Sequence, residues 1–388
     1  MVLRDEIETV LRGWNKYEES RSGPPIIDFD CHPVDEKIDA AGSRLAVLNQ
    51  LERLLKQAEL ANDSRLAARI GAHLAYVNAL LGKRYSLGDY VFKTQGCRPA
   101  GWPEEYVVER GEMARSCLNA MGIDWGADTE TQIDQVEGRL DVESASELMR
   151  QTVADLDPAV RMMTGTSAPY KLSIITAHED AYWAYWLDGA GRHIRLRLNL
   201  RNARFTKVRA QQFGLHEVLG HGLQSASYAE QCAQREVPWV RLMSVHAQHQ
   251  VLLEGLAQVL PLFVTPKDEA LISRVRLTHY IQLVRAELHI AVNSGTPIQE
   301  CARHARARVP FWSDETISDA LSDRGSNTLL RSYLWSYPAG IDWFVRLADD
   351  SDAETIKRVL HAAYRDPLTP DDLTALWPAG PPVGGPGK

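Results

Sequence analysis

The stretch Ala210-Gln-Gln-Phe-Gly-Leu-His-Glu-Val-Leu-Gly-His-Gly-Leu-Gln-Ser-Ala-Ser-Tyr228 decides how the rest of the chain reads. Phe213, Leu215, Val218, Leu219 and Leu223 mark a buried helix. Gly214, Gly220 and Gly222 each take something near 1 kcal/mol from its intrinsic stability, and such a weak helix former needs a reason. His216, Glu217 and His221 supply one. A neutral imidazole in apolar surroundings ligates a metal well, and a buried Glu is rare unless it is paired. The competing reading is a core helix whose two His and one Glu are simply hydrogen-bonded.

The spacing carries more. In H-E-x-x-H the imidazoles sit four residues apart, about 40° round the helix barrel, and converge on one ion. Here they are five apart, roughly 140° round an ideal α-helix, and can share an ion only if the turn is distorted. Gly220 permits the distortion, and a one-residue π-type bulge at 218–220 would restore a common face. A catalytic zinc needs a third protein ligand and an open position for water. Glu254, a lone carboxylate in the apolar run Val251-Leu-Leu-Glu-Gly-Leu-Ala257, is the best candidate, because burying it is costly unless a cation compensates. His246 and His249 are the alternatives, and Glu230 and Glu236 lie in polar surroundings. Glu217 is then placed to act as general base and acid.

Whole-chain features narrow the setting. A net charge of -8 over 388 residues argues against a nucleic-acid partner. Five scattered Cys, odd in number and without C-x-x-C, suit free thiols in a reducing cytoplasm. The first residues lack the pattern of a signal peptide, and no apolar run approaches a membrane span. A cytoplasmic chain without a membrane or nucleic-acid partner is expected, and its oligomeric state is left open.

Most of the remainder reads as helix. Leu45, Leu48, Leu51 and Leu55, then Leu66, Ile70, Leu74 and Val77, predict an antiparallel pair with a turn at 62–64 and a stop at Gly82. Further helices are expected at 104–120, 142–156, 240–263, 269–294, 314–348 and 353–364. A hairpin interrupts them: an aromatic strand at 181–187, a turn at 188–191, and a strand at 193–201 whose Ile194, Leu196, Leu198 and Leu200 alternate with Arg195, Arg197, Asn199 and Arg201. Such a strand could pair with an extended substrate, with Arg197 and Asn199 as contacts, or form a small sheet with a solvated basic face. The segment 28–33, Asp-Phe-Asp-Cys-His-Pro, reads as a turn after a short extended stretch rather than as a metal cluster, and 178–180 as a solvated loop. The organisation expected is a helical part over 1–160, a zinc-binding catalytic part over 161–376 continuous with it, and a disordered Pro/Gly-rich tail over 377–388.

The run His216-Glu-Val-Leu-Gly-His-Gly-Leu-Gln224, followed by Glu254-Gly-Leu-Ala257, resembles the bacterial proteins of domain of unknown function family 885, relatives of the gluzincin metallopeptidases. The spacing H-E-x-x-x-H is also that of dipeptidyl peptidase III, over the helix alone. The resemblance spans roughly 194–373. It implies a mainly α, gluzincin-like fold with a small β-hairpin or sheet beside a metal cleft, two His ligands and one Glu ligand. Ser336-Tyr337-Pro-Ala-Gly340 looks like the family's late S-Y-x-x-G helix start, which gives Tyr337 a contact with oxyanion or substrate. His289 is an approximate match to a family His. The chain departs from the family in lacking the Pro of the zinc helix, in having Leu256 where the family has Trp, and in being shorter.

The leading expectation is therefore a zinc metallohydrolase cutting a peptide or amide bond in a small peptide or amide-containing metabolite. His216, His221 and Glu254 would be ligands, Glu217 the base, Tyr337 the oxyanion partner, and Arg331 and Tyr333 further substrate contacts. Two alternatives stand beside it. A repurposed tailoring enzyme, such as a lyase, cyclase or non-haem iron oxygenase, would hold Fe2+ on the same two His and one carboxylate. A binding protein would fill all four coordination positions.

Overall fold

The computed structural model describes residues 2–178, 180 and 184–387. Apolar side chains three and four apart build three N-terminal helices, Leu3–Glu19, Arg44–Leu60 and Ser64–Leu80. They pack Ile7, Leu11, Trp14, Val47, Leu51, Leu54, Ile70 and Tyr76 into one cluster. The buried face of the second helix is rotated from the one expected. Val47, Leu51 and Leu54 are covered, whereas Leu45 is 60% exposed. The turn between the second and third helices is held by Asn62 in the left-handed region and by Asp63, whose carboxylate accepts from the Leu66 N–H at 3.0 Å.

The largest core lies around the helices Glu104–Ala120, Val142–Thr164, Gln250–Val264, Glu269–Asn293, Ser336–Asp350 and Ala353–Arg365. Mainly α is thus the architecture, and no described helix is long and apolar enough to cross a membrane. Two expected helices differ. Residues 240–249 are not helical: Leu242–Met243 forms a strand, and the helix starts at Gln250. The span 314–348 is broken into Asp314–Gly325, Leu330–Tyr333 and Ser336–Asp350, the second ending where Tyr333 turns inwards.

The sheet has five strands in the order Lys171–Ala177, His193–Asn199, Tyr185–Ala190, Phe29–Asp30, Leu242–Met243. The expected hairpin is present, but its turn is tighter, because Asp188, Gly189 and Ala190 are already paired with His193–Arg195. The first strand begins at Tyr185, and the part expected at 181–183 lies outside the described residues, as does Glu179 of the expected loop. Ile194, Leu196 and Leu198 face the core as the alternation requires. His193–Asn199 is flanked on both sides, in parallel by Lys171–Ala177 and antiparallel by Tyr185–Ala190, so it offers no free edge.

The C-terminal tail is not loose. Trp377 packs edge-on against Trp343, and Gly101 exchanges two backbone hydrogen bonds with the tail, donating to the Gly384 carbonyl at 3.2 Å and accepting from the Gly387 N–H at 3.1 Å. Composition alone missed this, since a Pro/Gly segment can be fixed by backbone docking without a large apolar payload.

Candidate metal centre

Gly214–Gly222 is π-helical, set between the α-helices Lys207–Phe213 and Leu223–Gln234. Departure from α-geometry is what the spacing requires, but it extends over the whole segment rather than one inserted residue. An i→i+5 ladder stacks residues five apart, so His216 and His221 share a face. Their Nε2 atoms lie 3.1 Å apart and their rings meet edge to face. Gly220 has a second role. A Cβ there would come within 2.7 Å of the Ala257 Cβ, so glycine allows the π-segment to lie directly on Gln250–Val264.

That helix carries Glu254. Its Oε2 is 3.5 Å from His221 Nε2 and 3.7 Å from His216 Nε2. A tetrahedral ion with bonds of 2.0–2.1 Å would hold such donors about 3.3 Å apart. The three atoms thus form a triangle of the size zinc needs. Glu217 also falls in the cluster, its donor atoms and those of His216 and His221 lying within 4.8 Å of one another. Its Oε1 is 3.9 Å from His216 Nε2, and chain adjacency keeps it from closing on the ion as Glu254 can. Glu254 Oε2 is buried and has no hydrogen bond of normal geometry, its neighbours being the two imidazoles, which leaves it free for a cation between them. His216 Nδ1 is likewise buried without a partner, so packing alone orients that ring.

Burial lowers His221, but Glu254 and Glu217 outweigh it and hold the ring above its ordinary value. Without an ion His221 is therefore the cation beside Glu254 and must give up its proton to ligate, whereas the other three groups agree with these roles. Burial holds the His216 ring down at about 3, helped by His221, which keeps it neutral and able to ligate. Burial pushes Glu254 up, but His221, His216 and the Tyr333 hydroxyl outweigh this and leave it at about 2. Burial, with Glu254 adding to it against His221, lifts Glu217 to about 7, the range suited to passing a proton at neutral pH.

Tyr333 donates its hydroxyl proton to Glu254 Oε1, and its oxygen lies 3.0 Å from that of Tyr337. A tyrosine has one proton to give, so Tyr333 must accept from Tyr337. Tyr337 reaches the site because Gly255 and Gly340 bring Gln250–Val264 and Ser336–Asp350 into backbone contact, where a Cβ on Gly255 would lie 2.4 Å from the Gly340 carbonyl carbon. A cavity of about 340 Å³ opens over the cluster, walled by Tyr185, Trp186, Leu187, Asp28, Tyr333 and Tyr337.

Other expected contacts lie elsewhere. His289 is fully buried against Trp335, with Nε2 3.0 Å from the Arg331 carbonyl oxygen, and Arg331 bonds Asn293 and the Tyr85 carbonyl. Arg197 binds Asp188 on the sheet face turned from the metal helix, where it lines a separate groove. Asn199 is buried rather than solvated and is also outside the cavity wall. His246 and His249 are engaged by His73 and Arg69 respectively. Asp28, read from sequence as part of a turn, lines the cavity instead. The faint signal for it was an acid directly after Ile26-Ile27.

No protein-family model and no curated protein matches the chain. Among solved structures, one from Colwellia psychrerythraea described as a lipoprotein aligns with TM-score 0.56 and 13% identity, covering 87% of this chain and 67% of that one. At that identity the likeness is of fold alone. Metallocarboxypeptidase 1 of Trypanosoma cruzi aligns over 96% of this chain and 94% of its own with 10% identity, but its TM-score of 0.34 is too low to carry an argument.

Proposed function

We propose that this chain is a zinc-dependent hydrolase of peptide or amide bonds in small substrates. The observation that carries the reading is the triangle of His216 Nε2, His221 Nε2 and Glu254 Oε2, closed by a buried carboxylate oxygen with no other partner. These three residues would hold the ion. Bound there, zinc supplies a Lewis acid for the scissile carbonyl and acidifies a water. The Glu217 carboxylate would take a proton from the attacking water as the water oxygen bonds to the carbonyl carbon, and would give it to the nitrogen as the C–N bond breaks. Tyr337 turns its hydroxyl from Tyr333 to the developing oxyanion. Apolar walls from Leu187, Leu253 and Leu330 limit competing water.

The test is elemental analysis together with turnover of a peptide library. One zinc per chain is expected, and Glu217→Gln should retain it while losing about 10²–10⁴-fold in kcat, the usual worth of a general base. Stoichiometric iron with oxygen-dependent turnover, or full activity in metal-free protein, would overturn the reading.

A further inference from the structure

The cavity wall carries four carboxylates, Asp28, Glu217, Glu254 and Asp323, and no Lys or Arg among the described residues. Glu254 and Glu217 have roles as ligand and base. Asp323 feels the buried Arg324 and Arg285. Asp28 feels one buried cation, Arg69, and receives no hydrogen bond from it. Both its carboxylate oxygens are buried without a hydrogen bond of normal geometry, although the Val245 backbone acts on them. Arg69, the buried cation on that side, gives its hydrogen bonds to His249 and the Leu242 carbonyl instead. A buried carboxyl without a partner is costly to ionise, and in a cavity wall it marks the place of a missing cationic donor, whose arrival would draw off its proton.

The sheet shows what that donor would be attached to. Tyr185–Ala190 is bonded to His193–Asn199 on one side, but on the other only Gly189 and Ala190 are paired, with Phe29 and Asp30. Among the described residues, the edge of 185–188 is therefore open beside the metal cluster. An extended segment added there would run in line with Phe29–Asp30 and stop against Asp28. A slot closed at one end takes a chain terminus, and a closed end that carries the Asp28 carboxyl and no Lys or Arg takes an amino terminus rather than a carboxylate.

We propose that Asp28 receives the protonated amino terminus of the substrate, which lies antiparallel to Tyr185–Ala190 and makes the cleft selective for short peptides or amides with a free amine. This rests on the hydrolase reading of the site and adds the end of the substrate that is recognised.

Zinc-loaded Glu217→Gln protein separates binding from turnover. Titrated calorimetrically with di- and tripeptides of Ala and Leu and with their N-acetyl counterparts, it should prefer the free amines by about 10–100-fold, the range of a hydrogen bond to a charged group. Adding Asp28→Asn should abolish that preference, leave the acetylated ligands within about twofold, keep one zinc per chain and leave the melting temperature no lower. Equal weakening of both ligand sets, a preference that survives the substitution, no binding of free-amine peptides, or a second metal ion lost with Asp28 would each overturn the proposal. Wild-type protein that hydrolyses none of these peptides, while Asp28 still governs their binding, would overturn the hydrolase reading and leave amine recognition standing.

Discussion

The two tyrosines beside Glu254 are chemically alike, but their hydrogen-bond order gives them different tasks. Tyr333 fixes the carboxylate proposed as a ligand, so Tyr333→Phe should weaken zinc about 10–100-fold, as loss of a ligand's supporting partner does, read by competition with a chromogenic chelator. Tyr337 gives its hydroxyl to Tyr333 and acts on Glu254 more weakly than Tyr333 does, so Tyr337→Phe should weaken zinc less than Tyr333→Phe and lower kcat by about 10²–10³, the worth of an oxyanion donor. Equal zinc loss in both would remove the distinction. Asp28 adds a pH signature. Burial raises its carboxyl from the ordinary 3.8 to about 8, so between these values the folded chain binds more protons than the unfolded one, and stability falls as pH rises. An asparagine in its place does not titrate. In metal-free protein the stability of Asp28→Asn relative to wild type should therefore climb from about pH 4 to about pH 8 and level off above. Urea melts at stepped pH measure it, and a relative stability independent of pH would show that Asp28 is not buried as described.

At the scale of elements, the crossing of the π-segment over Gln250–Val264 is the feature on which the site depends. In an ordinary helix Gly→Ala gains about 1 kcal/mol. At Gly220 the added methyl meets Ala257, and overpacking of this kind costs about 1–3 kcal/mol. Gly220→Ala should thus be net destabilising in urea and should weaken zinc, because the helices must part where His221 faces Glu254; a stabilised variant with intact zinc binding would refute the crossing. This also explains what the sequence could and could not reveal. Five-residue spacing between two His demands a non-α turn, and a lone Glu in an apolar run demands a cation, so the grouping of His216, His221 and Glu254 was legible in local chemistry. The length of the π-segment was not, because it depends on the fit of Gly220 against Ala257. Nor was the strand Leu242–Met243, whose short apolar run suits helix and strand equally until Phe29–Asp30 pairs with it. Asp28 was hidden because only the parallel pairing of that strand with Tyr185–Ala190 carries it to the cleft. His289 and Arg331 were misplaced for the opposite reason: their chemistry suited a site, but the Asp314–Asp350 stretch breaks twice and turns Arg331 towards Asn293.

For the whole molecule, the proposed ligands come from two stretches, His216 and His221 from one and Glu254 from the other, so the unfolded chain offers at most the two His together and metal binding would add to folding stability. The linkage is RT ln(1 + [L]/Kd), about 4 kcal/mol with zinc at roughly a thousand times its Kd. That stabilisation should not be uniform. Glu254 and Tyr337 stand on Gln250–Val264 and Ser336–Asp350, which meet backbone to backbone at Gly255 and Gly340, so binding should suppress local opening of these two helices first. Ser64–Leu80 lies in the separate N-terminal cluster, joined through Val240 and Leu242, and contributes no donor to the ion. Hydrogen exchange with and without zinc should then show added protection concentrated in 250–264 and 336–350, with little in 64–80 outside the global opening. Glu254→Gln should lose both the added protection and most of the rise in melting temperature. If zinc protected all three helices equally in that variant, it would be acting at some other place, and the triangle at His216, His221 and Glu254 would not be the metal centre.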